Sequence, residues 1–133
     1  MTGRVCVVTG ATAGIGKETA LALARIGATV VIVARDAAKS ARTVDAIEKA
    51  VPGATVDVVL ADLASLDAVR DAATEIGKRY REIHVLVNHA GATNKARLES
   101  ADGIETTVAG NHPAPCLFPR EITPSIARGH TPP

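Results

Sequence analysis

From residue 4 to residue 88 the chain alternates between two textures. Short runs rich in valine and isoleucine stand at "RVCVVT" (4–9), "ATVVIVA" (28–34), "ATVDVVLA" (54–61) and "IHVLVN" (83–88). Runs this apolar predict strands buried on both faces, which implies a parallel sheet covered by helices. The segments between them carry helical period. Residues 15–26 put Ile15, Thr19, Leu23 and Ile26 on one face and end at Gly27, a favourable C-terminal cap. Residues 37–50 group Ala41, Val44, Ile47 and Val51 before Pro52-Gly53. Residues 66–80 follow Ser65 as N-cap and align Leu66, Val69, Ala73, Ile76 and Tyr80. The βαβαβαβ alternation predicts an α/β fold, and right-handed crossovers give a doubly wound sheet of strand order 3-2-1-4.

Near residue 112 the texture changes. Six of the seven prolines stand at 113, 115, 119, 124, 132 and 133. Each proline inside a helix costs about 3 kcal/mol, so the expectation is an irregular Pro-rich tail over 113–133 behind a half-domain at 1–112. Within the tail, Leu117 or Phe118, Ile122 and Ile126 still fall roughly a turn apart. They read as the decayed or truncated start of a helix, or as the product of a shifted reading frame.

Composition narrows the function. The 133 residues are 47% hydrophobic and 22% charged with net charge +1, so no strong field advertises nucleic acid or an anionic membrane as partner. One tyrosine and one phenylalanine cannot build a stacking platform for single strands. Cys6, inside the first apolar run, and the distant Cys116 read as buried thiols in a reducing compartment. No apolar run reaches bilayer length, and the one at Val5–Val8 is too short for a signal-peptide core, so the expected location is cytoplasmic. His84, His89, His112 and His130 show no metal-ligand spacing.

The chemistry gathers at "TGATAGIG" (9–16), a glycine turn between a buried strand and a helix. Such a turn lets backbone amides approach a phosphate at the positive end of a helix. A triphosphate loop needs Gly-Lys-Ser/Thr for its magnesium ligand; here Gly16-Lys17 is followed by Glu18, so that reading fails. Gly10, Gly14 and Gly16 are spaced G-x-x-x-G-x-G rather than G-x-G-x-x-G. This turn resembles the cofactor turn of the short-chain dehydrogenase/reductase family. "ADLAS" (61–65), "LVNHAG" (86–91) and "DGIETTVAGNH" (102–112) resemble further family motifs in the family's order. "GKETALALA", "VARD" and "DGIE" resemble the retinol-dehydrogenase-like branch.

The resemblance implies a Rossmann-type domain and hydride exchange between a nicotinamide dinucleotide and a carbonyl or alcohol. It further implies that Gly10 and Gly16 permit the turn and its close packing, while Gly14 admits the pyrophosphate and Thr12, Ala13 and Ile15 line it. Asp62 would accept from the adenine amino group and Leu63 would donate its backbone amide. Asn88, Ala90 and Gly91 would border the adenosine ribose, and Asn111 would be the asparagine of the catalytic tetrad. His89 departs from the family's second asparagine, either bonding in its place or standing as a tolerated polar residue. At the tip of the second strand, Ala34 occupies the place of the acid that would hold the ribose of NAD, and Arg35 follows. A guanidinium there suits the 2′-phosphate, so NADP(H) is favoured over NAD(H). Asp36 reads as the N-cap of the next helix.

The family's proton-transfer pair, a tyrosine with a lysine four residues later, has no match. Tyr80 precedes the fourth strand and His84 stands four residues on; no lysine follows Lys95, and Ser125 is the one serine after Asn111. The expectation is a truncated chain that binds the dinucleotide and is inactive alone. The rivals are an active enzyme whose missing half comes from elsewhere, such as a longer gene product, a non-catalytic nucleotide-binding or interaction module, and a decayed product without function. An open flank beside the fourth strand would also favour self-association.

Overall fold

The computed structural model describes residues 1–91, 102–103 and 113–129. Strand β1 (Val5–Thr9), helix α1 (Gly14–Arg25), β2 (Thr29–Ala34), α2 (Ala37–Ala50), β3 (Val56–Leu60), α3 (Leu66–Arg79), β4 (Val85–Asn88) and α4 (Pro113–Gly129) follow in that order. The four strands form a parallel sheet ordered β3-β2-β1-β4, the order expected from the alternation. Register is continuous across it: Val7 pairs with Val31 and with Leu86, and Val31 pairs with Asp57.

Both faces of the sheet are covered. Val7, Val31, Val33 and Val59 pack with Val69, Ala72, Ala73 and Ile76 of α3 and with Phe118 and Ile122 of α4. On the other face Val8, Val30 and Ile32 pack with Ala20 and Ala24 of α1 and Ile47 of α2. Successive residues of one strand thus feed opposite cores, which is why the strands read as unbroken apolar runs.

Helix ends follow their local chemistry. Asp36 accepts from the Lys39 N–H at 2.9 Å and Ser65 from the Ala68 N–H at 3.3 Å, as N-caps. The Lys39 bond holds the Asp36 carboxyl below the usual carboxylate range, so this cap is intact at neutral pH and lost as pH falls through the lowered value. Gly27, at φ +86°, closes α1: its N–H reaches the Ala24 carbonyl while the Ala28 N–H reaches that of Leu23.

Two helices turn a different face inward from the one their bulky residues suggest. In α1 the buried residues are Gly16, Ala20 and Ala24, while Ile15 and Ile26 are 71% and 55% exposed. The helix lies so close to the sheet that small residues fill the contact. In α2 the buried stripe is Ser40, Thr43 and Ile47, and Ala41 is exposed. The Ser40 and Thr43 hydroxyls donate to the Asp36 and Lys39 carbonyls at 2.7 and 3.0 Å, which satisfies them inside the core. Helix α3 buries Val69, Ala73 and Ile76 as expected, together with Ala72.

The tail corrects a stronger expectation. Residues 113–129 form one helix with Pro119 and Pro124 inside it, not an irregular segment. Pro113 and Pro115 fall in the first turn, where N–H groups have no partner to lose. The two interior prolines carry the roughly 3 kcal/mol each that isolated helices show. Burial of Phe118 and Ile122 against α3 offsets it at about 1.5–3 kcal/mol per side chain. The Ile83 N–H also donates to the Ser125 carbonyl at 3.0 Å, and the Arg128 guanidinium to the Arg81 carbonyl at 2.7 Å. Tertiary contact outweighs propensity here. The regular spacing of Phe118, Ile122 and Ile126 held the helical signal that the prolines masked.

Pro124 is exposed, so its cost is not compensated by burial. Pro124→Ala is therefore expected to stabilise the chain by about 2 kcal/mol, the propensity gain less the lost rigidity of the unfolded chain. Urea unfolding followed by circular dichroism checks it; an unchanged or lower midpoint contradicts this account of α4.

Candidate cofactor site

The strands are parallel, so the segments leaving their C-terminal ends converge on one side of the sheet. The glycine turn leaves β1, Arg35 leaves β2, Asp62 and Leu63 leave β3, and Asn88 to Gly91 close β4. The chain winds from β1 outward through β2 to β3 and then returns to the far side of β1 for β4. Thr9 and Asn88, paired in register, therefore flank the crevice where the winding reverses.

Close approach dominates this crevice. A Cβ on Gly10 would lie 2.7 Å from both N and Cα of Ala90, and one on Gly16 would lie 2.1 Å from the Gly10 carbonyl oxygen. Gly10 and Gly14 have φ of +70° and +54°, the left-handed region that favours glycine. Gly14 differs in having open space: nothing lies within 4 Å of where its Cβ would be. Thr9, which sequence reasoning passed over, ties the crevice together. Its buried hydroxyl oxygen accepts from the His89 and Ala90 N–H groups, each at 3.0 Å. The signal was a hydroxyl at the end of a buried strand, directly before the turn.

The start of α1 is left without a side-chain acceptor. Its N-cap is Ala13, and no acidic residue stands in its first turn. The early amides of α1 therefore point their partial positive charge at the crevice beside Gly14. Ala11 is buried beneath the turn, Thr12 is half-buried, and Ala13 and Ile15 are exposed around it.

The remaining positions are ordered less tightly. Arg35 is exposed and makes no hydrogen bond or ion pair with other described residues. Asp36 beside it is committed to its cap. Asp62 is exposed, with Oδ1 accepting from the Ala64 N–H at 3.0 Å. The Leu63 side chain packs against the core. Asn88, His89 and Gly91 are exposed and Ala90 is half-buried. Asn111 and the helix expected around it lie outside the described residues, apart from Asp102 and Gly103.

Tyr80 and His84, which do not match the family's proton-transfer pair, have structural work. The Tyr80 hydroxyl donates to the Asp57 carboxylate on β3. His84 accepts from the Val5 N–H through Nδ1 at 3.0 Å, while its own N–H donates to the Val5 carbonyl at 2.9 Å. Burial in β1 pushes the Cys6 thiol up, away from thiolate reactivity. Among the described residues no cluster could hold a metal ion, and no helix is long and apolar enough to cross a membrane.

A family model described as short chain dehydrogenase matches residues 4–131. The chain belongs to the short-chain dehydrogenase family. Among its relatives, retinol dehydrogenase 12 of Bos taurus is 39% identical over 110 residues, 83% of this chain and 35% of that protein. Polyprenol dehydrogenase of Mus musculus is 36% identical over 124 residues, 93% of this chain and 37% of that protein. Two solved structures extend the likeness to the fold. A metagenomic short-chain oxidoreductase in complex with NADP superposes with a TM-score of 0.80 at 32% identity, over 94% of this chain and 57% of that one. The Pseudomonas aeruginosa RhlG/NADP complex gives a TM-score of 0.82 at 29% identity, over 98% of this chain and 49% of that one. The chain thus spans little more than a third of the length of those two curated relatives.

The packing of the turn makes a prediction. Gly16→Ala forces a methyl against the Gly10 carbonyl, an overpacking cost of about 1–3 kcal/mol or more. Gly14→Ala meets no neighbour and costs only its left-handed backbone, about 1–2 kcal/mol. Thermal melts of the two variants should place Gly16→Ala lower; the reverse order contradicts the close-packing assignment.

Proposed function

We propose that this chain binds NADP(H) in preference to NAD(H) and is the cofactor-binding part of an oxidoreductase acting on a carbonyl or alcohol. The observation that carries the reading is the uncapped start of α1 beside Gly14, at the crevice where the sheet's winding reverses. The α1 amides would donate to the pyrophosphate, and the open space at Gly14 lets the backbone come close. Arg35 would take the 2′-phosphate with its uncommitted guanidinium. Asp62 Oδ2 would accept from the adenine amino group, the Leu63 N–H would donate to the ring, and Asn88, Ala90 and Gly91 would border the ribose. A bound nicotinamide supplies or receives hydride; this chain's residues hold and orient it. The buried Cys6 thiol fits a reducing, cytoplasmic setting.

A second reading, a nucleotide-binding module without catalysis, is favoured by the commitment of Tyr80 to Asp57 and of His84 to Val5. General acid–base catalysis contributes typically about 10²–10⁴ in rate, and these 133 residues offer no Tyr-x-x-x-Lys to provide it.

The cofactor preference is tested by titrating the wild type and Arg35→Ala with NADPH and NADH. Loss of the guanidinium should weaken NADPH by about tenfold or more and leave NADH unchanged, the size of one charge-assisted contact. Equal affinity of the wild type for both cofactors ends the preference.

Catalysis is tested on the purified chain with NADPH and a panel of aldehydes and ketones. The half-buried Val85, Leu86 and Val87 of β4, paired only with β1 among the described residues, are expected to drive self-association visible by sedimentation. The assembly should still show no turnover above background. Turnover that disappears in Gly14→Asp would show that the chain completes a working site, and a monodisperse monomer would remove the β4 argument.

A further inference from the structure

We propose that Asp102 is a positioning residue for adenine recognition, fixing the connection between β3 and α3 in the shape that presents Asp62 and Leu63. The inference rests on the cofactor reading above and assigns a role within it to a residue remote in sequence.

The connection is a short chain of hydrogen bonds. At its start the Ala61 N–H continues the sheet ladder to the Ala34 carbonyl at 2.9 Å. In its middle the Asp62 carbonyl accepts from the Ser65 N–H and Asp62 Oδ1 from the Ala64 N–H, both at 3.0 Å. The second bond turns the carboxylate and leaves Oδ2 for a ligand. At its end the Ser65 hydroxyl caps the Ala68 N–H at a long 3.3 Å. The first amide of α3, Leu66 N–H, is taken instead by Asp102 Oδ2 at 2.9 Å, from 36 positions further along the chain.

That bond does more than cap a helix. Asp67 already places a negative charge in the first turn of α3, and Ser65 already supplies a local cap. A remote carboxylate also carries a loop-closure cost that a local cap avoids. What Asp102 adds is a second anchor. With Ala61 held by the sheet and Leu66 by Asp102, the four residues between them cannot rock, and the Asp62 carboxylate keeps its aim. Hydrogen bonds weaken steeply with misalignment, so a small rotation at Asp62 removes selectivity for the amino group before it removes binding.

The experiment compares NADPH with its hypoxanthine analogue, which carries a carbonyl oxygen where adenine has its amino group, by calorimetry on the full chain. The wild type should bind NADPH about tenfold more tightly than the analogue, whose ring nitrogen is also protonated and so refuses the Leu63 N–H, and Asp62→Ala should reduce that ratio to the Leu63 share. Asp102→Ala should shrink it to about threefold or less, while Asp102→Asn, whose amide oxygen still accepts, keeps most of it. Leu66→Pro removes the donor instead. It suits the first helical position, and Ser65 is already extended (φ −107°, ψ 121°), as a residue before proline must be. Its ratio should fall alike. Asp67→Asn, which removes charge from the same helix end but no tether, should leave the ratio unchanged. If either Asp102→Ala or Leu66→Pro folds and keeps the full ratio, Asp102 is only a cap and the proposal is overturned. A wild type that binds both ligands equally removes the role of Asp62, and this proposal with it; one that binds neither removes the cofactor reading itself.

Discussion

The geometry of the functional end hangs on one backbone contact, the first turn of α1 seated against the Gly10 carbonyl. No side chain fits there, because a Cβ on Gly16 would stand 2.1 Å from that oxygen. The contact sets the height of α1 above the sheet, and the height selects what lines its inner face. Ala20 and Ala24 fill the narrow gap, which leaves Ile15 and Ile26 outside. The same turn brings Gly10 against Ala90, so β1 and the segment after β4 meet without a gap. Thr9 then locks the meeting by accepting two successive amides beyond Asn88.

Electrostatics distinguishes that crevice from the other helix starts. Helices α2 and α3 spend Asp36, Ser65 and Asp102 on their own first-turn amides. Helix α1 has only an alanine there, and its lack of a cap would be a plain loss of about 1 kcal/mol unless an anion replaced it. The exposed guanidinium of Arg35, one strand away, adds positive charge on the same side of the sheet. Of the three helices that start where a strand ends, α1 alone leaves its first-turn charge uncompensated, while α2 and α3 neutralise theirs.

How much of this was legible in the sequence depended on whether the cause was local. The strands were legible because burial on both faces leaves no polar phase to blur them. Helix α3 was legible because Val69 and Ile76 are bulky and buried. Helices α1 and α2 misled because a periodicity reading weights bulk, whereas α1 packs by smallness and α2 buries hydroxyls that satisfy themselves. The tail misled for the opposite reason: proline cost was charged without the burial of Phe118 and Ile122 that opposes it. In the site, Gly10 and Gly16 stood out because a Cβ there would meet backbone, and Gly14 because its left-handed φ favours glycine. Thr9 offered only a hydroxyl at the end of a buried strand, and Asp102 no local sign at all. Their bonds span 80, 81 and 36 positions, and nothing in the neighbouring residues announces a partner that far away.

If the chain holds a dinucleotide as proposed, topology separates that site from Tyr80. Helix α3 runs antiparallel to the strands, so its C-terminal end and Tyr80 lie away from the crevice. Asp57, which takes the Tyr80 proton donor, is level with Val31 and through it with Val7. That is three residues below Gly10 and two strands across, about 10 Å along the strands and about 10 Å across them at ordinary strand spacings. A phenol so placed, bonded to a carboxylate under a packed helix, cannot reach a substrate at the glycine turn. The residues proposed to hold the cofactor, by contrast, all leave the same ends of four adjacent strands, and Asp102 reaches the connection that carries two of them. On the proposed reading, cofactor affinity would be a property of the sheet and its turns. Among the described residues, Tyr80 is held by Asp57 and His84 by Val5, both below the glycine turn.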